Sequence, residues 1–262
     1  MAGEFSGKIV VVTGGSRGIG RAIALAFARE GAQTVLASSS EANLAAASKA
    51  IEQEGGAAPL TVAGDLRSLA ACELLFDKVR ERFGRCDILV NNAGATRAGA
   101  FVSLPDEAWM DGFALKFFGC VRLCRLFWPL LKDAKGSVVN IVGGAARTPS
   151  PEFSIGSSVN AAMANFSKGL SKLGNREDVN VNVIHPGTTE TERTIQLSQQ
   201  RAAALGTTPE ELRAKSLAQD GTRRIGQPED IAELTVFLCS RGARHIQGQA
   251  IAVDGGSAPG YY

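Results

Sequence analysis

The chain has 262 residues, 45% of them hydrophobic and 21% charged, with a formal net charge of +2; this suits a soluble chain with a full core and gives no sign of a nucleic-acid partner. The opening residues, MAGEFSGK, lack the basic and apolar stretches of a secretion signal, and no apolar run reaches transmembrane length, so no membrane partner and a cytoplasmic location are expected. Five cysteines (Cys72, Cys86, Cys120, Cys124 and Cys239) without a C-x-x-C pair predict reduced core thiols rather than a disulfide framework or a metal site.

In chain order, short β-branched apolar runs alternate with helical patterns. The runs Ile9–Val12, Thr34–Ala37, Leu60–Ala63, Ile88–Val90, Val138–Val142, Val181–Ile184 and Ile251–Val253 read as strands covered on both faces. Between them, helices are predicted over Gly18–Glu30, Glu41–Glu54, Ser68–Phe83, Asp106–Leu131, Ser157–Leu173 and Pro228–Ser240. The fourth is long: Asp106 can cap it, and Met110, Phe113, Phe117, Val121, Cys124 and Trp128 follow at spacings of three and four. Repeated β-α-β alternation predicts an α/β fold, one doubly wound parallel sheet in a single domain over residues 1–262. The polar, Ala-rich stretch 188–218 is expected to form a mobile lid over a substrate site.

The first strand runs into Thr13-Gly14-Gly15-Ser16-Arg17-Gly18-Ile19-Gly20 and then a helix. Gly14, Gly18 and Gly20 let the backbone turn tightly and approach a pyrophosphate, which free N–H groups and the helix dipole attract. Asp65-Leu66 follows the third strand, Asn91-Asn92-Ala93-Gly94 the fourth, and His185-Pro186-Gly187 with Thr189 and Thr191 the sixth. Gly226 through Ala232 and Val253-Asp254-Gly255-Gly256 close the series.

These motifs, in this order from about Gly7 to Gly256, resemble the short-chain dehydrogenase/reductase family. The resemblance implies a single-domain Rossmann fold, a nicotinamide dinucleotide cofactor, a small-molecule substrate and a homotetramer. It assigns cofactor contacts to Gly14, Ser16, Arg17, Gly18, Ile19, Gly20, Ser38, Ser39, Asp65, Leu66, Asn92, Ala93, Gly94, Asn160, Pro186, Gly187 and Thr189. An acidic residue after the second strand would select NAD; Ser38-Ser39-Ser40 stands there instead. With Arg17 nearby, NADP is favoured over NAD.

The family's Asn-Ser-Tyr-Lys catalytic tetrad falls, by the same register, on Lys116, Gly143, Gly156 and Asn160, so all four residues are expected to be replaced. The chain has only two tyrosines, Tyr261 and Tyr262. The position seven residues before Asn160, where the enoyl-reductase branch keeps its tyrosine, is Phe153. Replacement candidates are Lys116, Ser157 with Ser154 and Ser158 beside it, and His185. The serines also suit helix caps, His185 a structural role, and Lys116 a stem that snorkels to water. Two readings stay open: an oxidoreductase with an atypical site, acting on an unidentified carbonyl or alcohol, and a non-catalytic dinucleotide-binding protein.

Overall fold

Strands that are apolar on both faces need helices on both sides, and the chain supplies them. The computed structural model describes residues 3–259. Seven parallel strands form one sheet: β1 (Ile9–Thr13), β2 (Gln33–Ser38), β3 (Leu60–Ala63), β4 (Ile88–Asn91), β5 (Ser137–Ile141), β6 (Asn180–Pro186) and β7 (Ala250–Val253). Their order is β3-β2-β1-β4-β5-β6-β7, so the strand order reverses between β1 and β4. A crevice opens at the carboxyl ends of the strands at such a point.

Neighbouring residues on each strand face opposite ways, and two cores result. Val10, Val12, Leu36, Val90 and Ile184 pack under α1 (Gly18–Arg29), α2 (Glu41–Gln53) and α9 (Pro228–Cys239) through Phe27, Leu44, Ile51 and Ile231. Val11, Val35, Leu89, Val138 and Val181 pack under α3 (Leu69–Phe83), α5 (Gly119–Ala134) and α6 (Ser154–Glu177) through Leu75, Leu123, Phe127 and Met163. All seven predicted strands form, and the fold is a single-domain Rossmann fold with helices on both faces of the sheet.

Three local differences bear on the site. The long fourth helix is interrupted: α4 (Asp106–Phe113) passes through a π-turn, Ala114–Phe118, before α5 begins. Its N-cap is Pro105, and Asp106 is the first helical residue rather than the cap. The segment expected to form a lid contains two helices, α7 (Glu192–Leu205) and α8 (Pro209–Asp220), each opened by a capping box. At the start of α6 the N-cap is Phe153 and no side-chain cap bond forms, so the capping role offered for the nearby serines is not taken up. No helix of the described residues is long and apolar enough to cross a membrane.

Candidate active site

The glycine turn after β1 is held from behind. The Gly14 N–H donates to the Ala37 carbonyl at 2.7 Å, with Gly14 at φ +63° in the left-handed region where glycine is at ease. A Cβ on Gly20 would lie 2.2 Å from the Gly14 carbonyl oxygen, so only glycine lets α1 start this close to β1. Asn92 stitches β4 to the turn, its amide donating to the carbonyls of Thr13 at 3.0 Å and Gly14 at 3.3 Å. Thr13 Oγ1 accepts from the N–H groups of Asn92 and Ala93. The motifs after β1 and β4 thus form one hydrogen-bonded floor.

Above this floor lies a cleft of about 1030 Å³. Gly14, Ser16, Arg17, Gly18 and Ile19 line it at one end together with Ser38, Ser39, Asp65 and Leu66. Ser16 Oγ donates to Ser38 Oγ at 2.9 Å, and Arg67 pairs with the Asp65 carboxylate at 3.1 Å. The lining continues through Asn92, Ala93, Gly94, Pro186 and Gly187 to Lys116, Gly143, Phe153 and Asn160. Six sequence candidates stand outside its lining: Gly20, Ser154, Ser157, Ser158, His185 and Thr189. Thr189 is buried and donates to the Gly187 carbonyl at 3.0 Å, while Thr188 and Thr191 line the cleft in its place. Ser157 is buried with an unpartnered hydroxyl and does not reach the cleft lining.

Lys116 sits in the π-turn with its stem against Gly94, where an added Cβ would meet its Cδ at 2.9 Å. Its ammonium donates to the Val142 carbonyl at the end of β5. Burial lowers its pKa to about 8. Asn160, on the first turns of α6, is 4% exposed and its Oδ1 has no partner. Gly143 takes φ +122°, and a Cβ there would lie 2.9 Å from Asn160 Nδ2. A Cβ on Gly156 would fall 2.1 Å from the Phe153 ring. The glycines therefore leave no room for the Lys116 stem, because an aromatic ring and an amide already occupy the space beside them.

His185 lies in β6, almost fully buried, with Nδ1 2.8 Å from the Gly143 carbonyl. A carbonyl only accepts, so Nδ1 carries the proton. Burial holds the ring below the usual histidine range and keeps it neutral. Its place is structural: it ties the Gly143 turn to β6.

Sequence reasoning missed the acidic contact at the mouth. Glu192, first residue of α7, accepts from the Gly18 N–H at 3.1 Å and from Arg21 at 2.7 Å. The partners lie more than 170 residues apart, so no local pattern announces the pairing. Arg193, Asp220, Ser257 and Pro259 also line the cleft.

The glycine turn, the Asn92 floor and the strand reversal point to one family. Residues 8–202 match the family model described as short chain dehydrogenase. The chain belongs to the short-chain dehydrogenase family. It is 33% identical over 257 residues to the 3-oxoacyl-[acyl-carrier-protein] reductase FabG of Escherichia coli (strain K12), covering 97% of this chain and 98% of that one. It is similar in structure to L-sorbose reductase from Gluconobacter frateurii complexed with NADPH and L-sorbose, with a TM-score of 0.94, 32% identity and full coverage of both chains. A short chain dehydrogenase from Burkholderia cenocepacia J2315 in complex with NADP is similar at a TM-score of 0.84 and 28% identity, covering 97% of this chain and 99% of that one.

Proposed function

We propose that this family member is an NADP-dependent oxidoreductase that interconverts a carbonyl and an alcohol on a small substrate without the Asn-Ser-Tyr-Lys tetrad. The bound cofactor supplies hydride chemistry. The chain's residues fit it: the glycine turn offers free N–H groups and a close backbone approach, and the unpartnered Asn160 Oδ1 offers an acceptor to a ribose hydroxyl. Arg17 makes no ion pair among the described residues and stands beside Ser38 and Ser39, as a partner for a 2′-phosphate needs.

The observation that carries the catalytic half is Lys116. It is a protonated amine on the cleft wall, level with the end of β5, whose pKa is lowered to about 8. An ammonium of that acidity can pass a proton to the oxygen of a carbonyl as it is reduced, the task a tyrosine performs elsewhere in the family. Besides burial, Arg193 on α7 acts against its charged form and Cys120 on α5 favours it. Reduction needs the charged form, so its rate falls as pH rises through about 8. A segment over residues 188–218 acts as the lid, with α7 as its first helix.

A paired experiment tests both halves. Lys116→Met lowers turnover of NADPH with a carbonyl panel by roughly 10²–10⁴-fold while NADPH affinity holds. Arg17→Ala does the reverse, weakening NADPH about tenfold towards its affinity for NADH, as loss of a charge-assisted contact predicts. Turnover by Lys116→Met at the wild-type rate sinks the proton-donor role. The second reading, a dinucleotide-binding protein without catalysis, is favoured by one observation: the Phe153 ring fills the place of a side chain at Gly156 and brings no hydroxyl. Absence of turnover in the wild type with intact NADPH binding would select it.

The proposal extends to a cytoplasmic homotetramer. Phe127 and Met163 are buried in the chain's own core, whereas Phe101, Val102, Met110 and Phe118 stay exposed. A tetramer mass in light scattering is the expected result; a monomer mass removes this part.

A further inference from the structure

The reaction end of the cleft carries positive charge that the chain leaves uncompensated. Lys116 reaches it from the π-turn and Arg193 from the first turn of α7. Among the described residues, neither takes part in an ion pair, and Arg193 makes no side-chain hydrogen bond. Both residues line the same cleft, and the Arg193 charge acts against protonation of Lys116.

The neighbouring carboxylates are committed elsewhere. Glu192 is held by the Gly18 N–H and Arg21, and Glu190 by Arg213 at 2.9 Å and Gln227 at 2.9 Å. Asp65 is held by Arg67. Asp220 lines the cleft and accepts from Ser216 Oγ at 3.3 Å, and its charge is not among those acting on Lys116. Cys120 and His185 bring no fixed negative charge, the histidine being neutral.

Arg193 is also well based. Glu192, the residue before it, is pinned to the start of α1, and the Thr191–Thr194 capping box closes the turn around it. Two like charges held in a partly buried cleft repel, and an anion between them removes that repulsion.

We infer that the substrate of this site carries an anionic group, a carboxylate or a phosphate, which Arg193 holds while Lys116 faces the carbonyl oxygen. The inference rests on the proposed carbonyl reduction and names its substrate class. A planar guanidinium makes two parallel hydrogen bonds to either anion, giving orientation as well as attraction. The anion also favours the protonated form of Lys116, so the substrate helps to keep its own proton donor charged.

The test measures binding to the NADPH-loaded protein by calorimetry. Acetoacetate and dihydroxyacetone phosphate serve as the carboxylate and phosphate probes; methyl acetoacetate and dihydroxyacetone are their neutral counterparts. At least one anionic probe binds about tenfold or more tightly than its neutral counterpart, the size of one charge-assisted pair. Arg193→Gln removes that preference, Arg193→Lys restores part of it, and NADPH affinity stays unchanged in both. Which probe prevails separates carboxylate from phosphate. Equal binding of charged and neutral probes, or no binding of either anion, overturns the inference. A loss of NADPH affinity in Arg193→Gln also overturns it, by assigning the guanidinium to the cofactor's phosphates. The readout is binding, so failure of the proton-donor role in Lys116→Met leaves this result standing or falling on its own.

Discussion

The two ends of the cleft are built by different rules. At the cofactor end, contacts run through backbone: Gly14 N–H to Ala37, Asn92 to the carbonyls of Thr13 and Gly14, and Thr13 Oγ1 to two N–H groups. Each group has a partner, and the Gly20 contact at 2.2 Å forbids any side chain. At the reaction end, Asn160 Oδ1 is buried without a partner, Gly143 and Gly156 carry no side chain, and a phenyl ring fills the space beside Gly156. Backbone geometry that many side chains can support persists at one end. At the other, where chemistry depends on individual side chains, our proposal has the set exchanged as a group.

The largest effect expected from pressing on this contrast comes from trying to restore a tyrosine. Gly156→Tyr places its Cβ 2.1 Å from the Phe153 ring, in a turn closed by packing, and destabilises the chain by more than about 3 kcal/mol. Phe153→Ala with Gly156→Tyr relieves most of that cost, because the ring is the obstacle. Thermal unfolding of the two single variants and the double measures the coupling. Additive effects would mean that the ring does not hold that space. A serine at Gly143 faces a second barrier, since φ +122° is a region that L side chains rarely adopt. Packing at Gly156 and backbone conformation at Gly143 thus both stand against a larger side chain.

Much of this was legible in the sequence and some was not, for physical reasons. β1, β2, β4, β5 and β6 were readable because both their faces are buried, which leaves unbroken apolar runs such as Ile9–Val12. The edge strands β3 and β7, only partly buried, still read as short apolar runs. The glycine turn was readable because its chemistry lies in consecutive residues. α7 and α8 were not: they bury only Ala202 between them, so no apolar stripe marks them. The π-turn at Lys116 was not legible either, because the apolar spacing of three and four from Met110 to Trp128 runs through it unbroken. Phe153 was visible as a ring without a hydroxyl, but its packing over Gly156 needs the short 3₁₀ turn Pro151–Phe153 that leads into α6.

A smaller effect separates two buried asparagines that sequence alone treats alike. Asn140, near the end of β5, accepts from Asn91 Nδ2 at 2.8 Å and donates to Ser167 Oγ at 2.7 Å. Asn140→Ala leaves those partners short of a bond in a dry core and costs about 1–3 kcal/mol of stability. Asn160 is equally hidden, yet its Oδ1 has nothing to lose in the cofactor-free chain. Asn160→Ala removes an atom that already bears its desolvation cost, so the stability of the free protein changes by less than about 1 kcal/mol. The loss appears only when NADPH is added. If Asn160 bonds the nicotinamide ribose, the rise in Tm that saturating NADPH gives the wild type shrinks in Asn160→Ala, because a ligand stabilises a fold in proportion to its affinity for it. In Asn140→Ala both the free and the loaded protein melt lower, and the rise between them is kept. Melting curves of the two variants with and without NADPH read all four values. An unchanged rise in Asn160→Ala would show that the amide is a filler beside Gly143 and that the ribose is held by backbone alone, extending the rules of the cofactor end across the whole cleft.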